Sequence, residues 1–354
     1  MKLLLIGPLP PPFGGATVSF SLFVQAFREQ EDLSIKVVET WCPQSTWAAK
    51  IIAILRCSIE IFRESRDVDL LSFWASYNGS LLFSPVVGLA AALSRKPWQV
   101  RRFGSGVRNN WTEMGSWEKL LTKSLFHRAD QILLQTKGAV EEMKRVFPDA
   151  AVQWHGNFRP IPETRRSAKE HCRKFVFLGE VISEKGVGEI IESAERFSAG
   201  AIEVDLYGSL TGDFTERDLQ NITNITYCGI ATMDSVPELL NRYDALLMPT
   251  RLAREGYPGV ILEAYMAGIP VIVSDFPSLN EIVDSTSGIL VPPGDAEELY
   301  EAILSLVTNP DAYQKLANGA YQKRELFSLQ SGLDRFLELS RKAILSSSSR
   351  VSKQ

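Results

Sequence analysis

The sequence predicts an α/β protein built from two doubly wound parallel-sheet domains that face a shared cleft. Short β-branched or leucine-rich runs, bounded by Gly, Pro or Asp, alternate with helix-length amphipathic stretches, which is the rhythm of parallel α/β units. Six such runs fall on each side of one segment, FRPIPETRRSAKEHCRK at 158–174, which carries two prolines, six Lys or Arg and a histidine, with little apolar periodicity. The length of 354 residues suits two domains at the usual size of about 100–200 residues each.

In chain order the first six strand candidates are KLLLIG, SIKVVE, VDLLSFW, WQVRRFG, ADQILLQT and VQWHGN. After the hinge-like segment come KFVFLGE, IEVDLYGS, ITYCG, DALLMPT, PVIVSD and GILVPPGD. The expected domains are therefore 1–165 and 166–332. A last helix at 333–345 follows the completed second sheet and is expected to cross back to the first domain. The polar tail SSSSRVSKQ is expected to fray. In open parallel sheets ligands bind outside the carboxyl ends of the strands, so a cleft between the domains is the expected active site.

With 45% apolar and 23% charged residues, the composition excludes disordered, collagenous and disulfide-scaffold classes. A net charge of −4 argues against a nucleic-acid partner. Cys42, Cys57, Cys172 and Cys228 form no C-x-x-C pair, so neither a zinc site nor a redox motif is indicated and a reducing, cytoplasmic setting is expected. At the start, Gly7 and the prolines interrupt MKLLLIGPLPPP before a signal-peptide core is reached, which makes Lys2–Ile6 a first buried strand. The apolar segment LLFSPVVGLAAAL at 81–93 falls short of the ~20 residues that span a bilayer. Any membrane association is expected to be peripheral, at the inner face.

Three loops carry candidate chemistry. The first strand runs into GPLPPPFGGATVSFSLFVQAF, where Gly14-Gly15 opens a helix. Backbone amides there can approach a phosphate or a sugar closely, and a plain tight turn is the alternative. The stretch lacks both G-x-G-x-x-G and G-K-[ST], which removes support from nicotinamide and kinase readings. In FLGEVISEKGVGEIIESAERF, Lys185-Gly186 follows a strand, so that a mobile ammonium can meet a diphosphate; a solvated lysine is the alternative.

The third loop, EGYPGVILEAYMAGIPV at 255–271, is the most informative. DALLMPT precedes it as a strand, and Gly259–Met266 reads as a helix stopped by Ala267-Gly268 with Pro270 beyond. Glu255 then lies before the helix and Glu263 about one turn inside it. The amides around Gly256, Tyr257 and Gly259 are available to an anion, whereas Pro258 has no N–H. Carboxylates beside such a site suit a ligand with phosphates in the middle and sugar hydroxyls at both ends. The alternative is that Glu263 pairs with an arginine and Glu255 is solvated. His127, His155 and His171 show no metal-ligand spacing and read as structural, and no metal site is expected. Trp111 and Trp117, in RNNWTEMGSWEKL, read as loop aromatics able to stack on sugars, with core packing as the alternative.

These residues resemble the glycosyl transferases group 1, retaining nucleotide-sugar enzymes with two Rossmann-like domains in the GT-B architecture. The resemblance is carried by EGYPGVILE, the family's E-x7-E signature, by Ala264, Gly268, Pro270 and Val271, and then by NEIV and GILVPPGD. FLGEVISEKGV and FGG at 13–15 are similar to the family's strand-and-lysine motif and its N-terminal glycine loop. The resemblance implies an acceptor-side first domain and a nucleotide-sugar-binding second domain. It places Glu263 on the ribose hydroxyls, Glu255 facing the donor sugar, Lys185 on the diphosphate, the Gly256–Gly259 backbone in the cradle, and Gly15 near the donor. Glu255 and Lys185 are the expected catalytic residues, and no cofactor or divalent metal is implied.

Many members have arginine where this chain has Glu180, so Arg251 or Arg254 is expected to supply the missing cation. Many also have a histidine in the loop equivalent to RRFGSG at 101–106; here Arg102, Gly104 and Gly106 are expected to contact the sugar, with Gly14 beside Gly15. The implied reaction moves a sugar from a nucleoside diphosphate sugar to a glycan or glycolipid hydroxyl, in cell-surface polysaccharide or glycolipid synthesis. A catalytically silent sugar-nucleotide-binding partner and a nucleotide-sugar epimerase are the alternatives.

Overall fold

A computed structural model describes residues 1–11, 14–40, 46–104, 115–163, 169–253 and 255–351. The chain divides into two compact units, Met1–Phe158 with Leu329–Gln354, and Arg159–Ser328.

The first unit holds a six-stranded, all-parallel sheet of β1 (Lys2–Gly7), β2 (Ser34–Glu39), β3 (Leu70–Ala75), β4 (Trp98–Arg102), β5 (Gln131–Leu134) and β6 (Val152–Trp154). Its order is β2-β1-β3-β4-β5-β6. Both faces are covered, as parallel sheets require. Leu4 and Ile6 of β1 join Leu71, Phe73 and Val100 under the helices Trp47–Glu64 and Tyr77–Ser94. Leu3, Leu5 and Trp74 point the other way, into Phe23 and Phe27 of the helix Gly15–Arg28 and Phe336 of the helix Leu329–Val351. The period-two alternation of strand side chains thus builds two cores from one run of leucines. The Phe27 and Phe336 rings, 5.0 Å apart, couple the first and last helices.

Two expectations are corrected here. The last helix runs past its expected end at 345 and continues to Val351. Trp117 is not in a loop; it opens the helix Ser116–Arg128, while Trp111 lies outside the described residues. The segment 81–93 lies inside the helix Tyr77–Ser94, and no helix among the described residues is long and apolar enough to cross a membrane.

The second unit contains β7 (Lys174–Leu178), β8 (Glu203–Tyr207), β9 (Ile225–Tyr227), β10 (Ala245–Met248), β11 (Val271–Ser274) and β12 (Gly288–Val291). They form a parallel sheet in the order β12-β11-β10-β7-β8-β9. From β7 the chain winds outward through β8 and β9, then returns to β7's other side to start β10. The carboxyl ends of β7 and β10 are therefore this sheet's topological switch point. In the first unit the same reversal falls between β1 and β3.

Candidate active site

Both strongest loops of the second half leave from its switch point. After β7 the chain makes a short 3-10 turn, Ser183–Lys185, whose end is Gly186 at φ +82°. A Cβ at Gly186 would sit 2.0 Å from the Pro249 carbonyl oxygen, so only glycine lets the β7 loop lie against the chain leaving β10. Cross-loop bonds fix this contact: the Arg251 N–H donates to the Glu184 carbonyl at 2.8 Å, and Thr250 Oγ1 donates to the same oxygen at 3.3 Å.

At this junction Lys185 Nζ is bonded to Glu255 Oε1, each side chain about a fifth exposed (23% and 20%). Arg251 Nε donates to Glu189 Oε1 at 2.5 Å; Glu189 is almost wholly buried in the first turn of the helix Val187–Glu195, where a negative charge complements the helix dipole. Gly294, from the GILVPPGD motif, backs this pair, with both Arg251 Nε and Glu189 Oε1 3.6 Å from where its Cβ would be. Arg254 lies outside the described residues.

The helix Gly259–Ala267 starts at Pro258 without a side-chain cap, and Gly268 at φ +69° ends it. Glu263 faces the beginning of the unit: Arg159 Nε donates to its Oε1 at 2.6 Å. Arg159 is buried, Glu263 a quarter exposed. The Arg159 Nη2 lies 1.7 Å from where a Cβ of Gly259 would be, so the glycine at the helix start makes room for this guanidinium. Tyr257 is buried, its hydroxyl donating to Glu281 Oε2 at 2.6 Å, which leaves its backbone rather than its phenol for a ligand. Ser278 Oγ anchors the Glu255 carbonyl at 2.7 Å.

Two carboxylates therefore meet two cations at the switch point, and a third pair, Arg159 with Glu263, holds the helix that follows β10. This accounts for acidic residues beside a helix start: each charge is already compensated. The arginine partner expected as the alternative for Glu263 is present, whereas Glu255 is ion-paired rather than merely solvated. Arg159 was not singled out in the sequence, because nothing distinguishes it there from the five other cations of the 158–174 segment.

In the first unit, the amide of Gly14 is taken by Thr17 Oγ1 at 3.0 Å, while a Cβ at Gly15 would meet nothing within 4 Å. Glycine at 15 is thus not demanded by packing, and it leaves the helix start open to approach. Arg102 is only 5% exposed, as the fully buried pattern of β4 demands, and the Gly104 N–H already donates to Gln135 Oε1 at 2.8 Å. Gly104 itself is exposed, and Gly106 lies outside the described residues. His155 is a core residue: its Nδ1 accepts from Arg101 Nε at 2.8 Å and its Nε2–H donates to the Gly332 carbonyl at 3.1 Å. Burial first, and the Arg101 charge second, hold the imidazole well below its usual titration range. The side chain of His127 is outside the described residues. Among the described residues no group of three or more His, Cys, Asp or Glu is placed to hold a metal.

Residues 172–309 match the family model described as glycosyl transferases group 1. The matched stretch lies wholly within the second unit and includes Lys185, Glu255 and Glu263. Among curated proteins, the chain is 28% identical over 193 residues to 2-deoxystreptamine N-acetyl-D-glucosaminyltransferase of Streptomyces fradiae, covering 49% of this chain and 44% of the relative. It is 25% identical over 216 residues to alpha-D-kanosaminyltransferase of Streptomyces kanamyceticus, covering 54% and 55%. The chain spans about half the length of these two relatives. HepE of Anabaena, solved in complex with UDP, shares the fold, with a TM-score of 0.74 at 15% identity over 96% of this chain and 99% of that one. The two six-stranded parallel sheets are those of the GT-B architecture.

Proposed function

We propose that this chain is a group 1 glycosyltransferase that moves a sugar from a nucleoside diphosphate sugar to an acceptor hydroxyl with retention of anomeric configuration. The observation that carries the reading is the meeting of Lys185 and Glu255 at the β7/β10 switch point, beside the uncapped start of the helix Gly259–Ala267. The pair reaches solvent at its edge, so an incoming anion can compete with Glu255 for the Lys185 ammonium. An incoming diphosphate takes the Lys185 ammonium and the helix-start amides, and Glu255 turns to the hydroxyls of the donor sugar. Glu263, oriented by Arg159, accepts from the ribose hydroxyls.

In the transfer step the bond between the anomeric carbon and the diphosphate oxygen breaks, with its electron pair leaving on the diphosphate. The acceptor oxygen bonds to the same face of the anomeric carbon, and its proton passes to a diphosphate oxygen. Charge grows on the leaving group as that bond breaks, so Lys185 and the amides act most strongly in the transition state. The reading takes no metal or cofactor, and its acceptor is a glycan or glycolipid in cell-surface polysaccharide or glycolipid synthesis. HepE's complex with UDP makes uridine diphosphate sugars the first donors to test.

The test is release of nucleoside diphosphate from uridine, guanosine and adenosine diphosphate sugars, with and without acceptor extracts. Acceptor-dependent release supports transfer. Binding without release would instead make the chain a silent sugar-nucleotide binder, and sugar conversion without net release would make it an epimerase.

A further inference from the structure

We propose that three neighbouring helices of the first unit form a docking face for an anionic lipid bilayer. The helix Tyr77–Ser94 packs between Trp47–Glu64 and Ser116–Arg128. On Trp47–Glu64 the outward residues are Ile51, Ile52, Leu55 and Ile59, with Ile52 64% and Ile59 68% exposed. Their i, i+1, i+4, i+8 spacing aligns them in one stripe. Leu82, Leu89 and Leu93 form a second stripe on Tyr77–Ser94, and Trp117 and Leu120 extend the series on Ser116–Arg128. The inward sides of the first two helices, through Cys57, Ile61, Phe83 and Val87, already satisfy the core. The outward stripes are therefore a second apolar surface that folding alone does not explain.

The charges around these stripes select the occupant. Residues 47–64, 77–96 and 116–128 contain eight Lys or Arg and three Glu, within a chain whose net charge is −4. Arg56, Arg63, Lys123 and Arg128 are exposed among the apolar residues. A cavity of about 580 Å³ opens between the second and third helices, where Pro85, Leu89 and Leu125 line it together with two cations, Lys96 and Arg128, and one anion, Asp130. Aliphatic side chains ringed by Lys and Arg, with an exposed Trp at the border, match the interfacial layer of a membrane. A protein interface would be depleted of lysine at its centre. The acidic remainder of the chain is repelled by anionic lipid, which turns this face inward.

Sedimentation of the full chain with vesicles tests the face and needs no sugar nucleotide, so its outcome is independent of the donor reading. Binding is expected to equimolar phosphatidylcholine and phosphatidylglycerol, to be about tenfold weaker to phosphatidylcholine alone, and to weaken with salt. Ile52→Asp with Ile59→Asp should lower binding about tenfold without changing the thermal transition, since both side chains are exposed. Arg56→Gln with Lys123→Gln should weaken it and flatten the salt dependence. The proposal is overturned if the chain ignores the anionic vesicles, if the aspartate pair binds as well as the parent, or if the parent self-associates without lipid and the aspartate pair does not. That last result would assign the face to a second copy of the chain.

Discussion

Gly186→Ala tests whether close contact of the β7 and β10 loops builds the site. Two costs apply. At φ +82° an L-residue pays about 1–2 kcal/mol for the left-handed backbone. The new methyl group would lie 2.0 Å from the Pro249 carbonyl oxygen, a backbone atom, so the loops must part by about 1 Å, an overpacking cost of roughly 1–3 kcal/mol. Together these predict about 2–5 kcal/mol of destabilisation, which for a unit of this size lowers its thermal midpoint by roughly 5–15 °C. The displaced chain carries Arg251 and Glu255, so a 1 Å shift should also lower turnover by on the order of 100-fold. Gly188→Ala is the matched control. A Cβ there meets nothing within 4 Å, and the residue lies in the helix Val187–Glu195, so the change is expected to be neutral or stabilising by up to about 1 kcal/mol. Differential scanning calorimetry and nucleotide titration read both variants. Equal midpoints and equal nucleotide affinity for the two would refute the reasoning.

The other predictions concern charges. Glu263→Ala removes the carboxylate proposed for the ribose and should weaken donor binding by about 1.5–3 kcal/mol in calorimetric titration; unchanged affinity would remove Glu263 from the site. Lys185→Ala should reduce kcat by on the order of 100-fold while weakening donor affinity far less, because its charge partner develops in the transition state. Equal losses in both quantities would assign Lys185 to ground-state anchoring. His155, held neutral by burial, has a folded pKa below its unfolded value of about 6.5. Its contribution to stability is therefore complete above that pH and is lost as pH falls, since the unfolded chain binds the extra proton. Urea unfolding should show up to about 1.4 kcal/mol lost per pH unit below about 6.5, and His155→Gln should flatten that slope; a parent profile already flat there would contradict a buried neutral imidazole.

All twelve strands were legible in the sequence because most of them carry short β-branched or leucine-rich runs bounded by turn residues, as the buried strands of a parallel sheet require. The end of the last helix was not, since a serine-rich stretch has weak helical preference of its own. Lys185, Glu255 and Glu263 were readable from their loops and the E-x7-E spacing. Arg159 was not, because its pairing with Glu263 spans 104 positions and no local pattern marks a partner that only folding brings near. The burial of Arg102 was hidden for the converse reason: a cation in a strand looks exposed in sequence, and only the sheet's coverage shows it to be buried.

Local chemistry alone determined the two-sheet class, the glycine turns and the helix starts, since φ preferences, side-chain period and the loss of an N–H at proline act within a few residues. Charge pairing was decided by the tertiary structure. The winding that reverses between β7 and β10 brings Lys185 to Glu255 and Arg251 to Glu189, and the folded unit brings Arg159 to Glu263, because electrostatic partners are chosen by distance through space and not by distance along the chain.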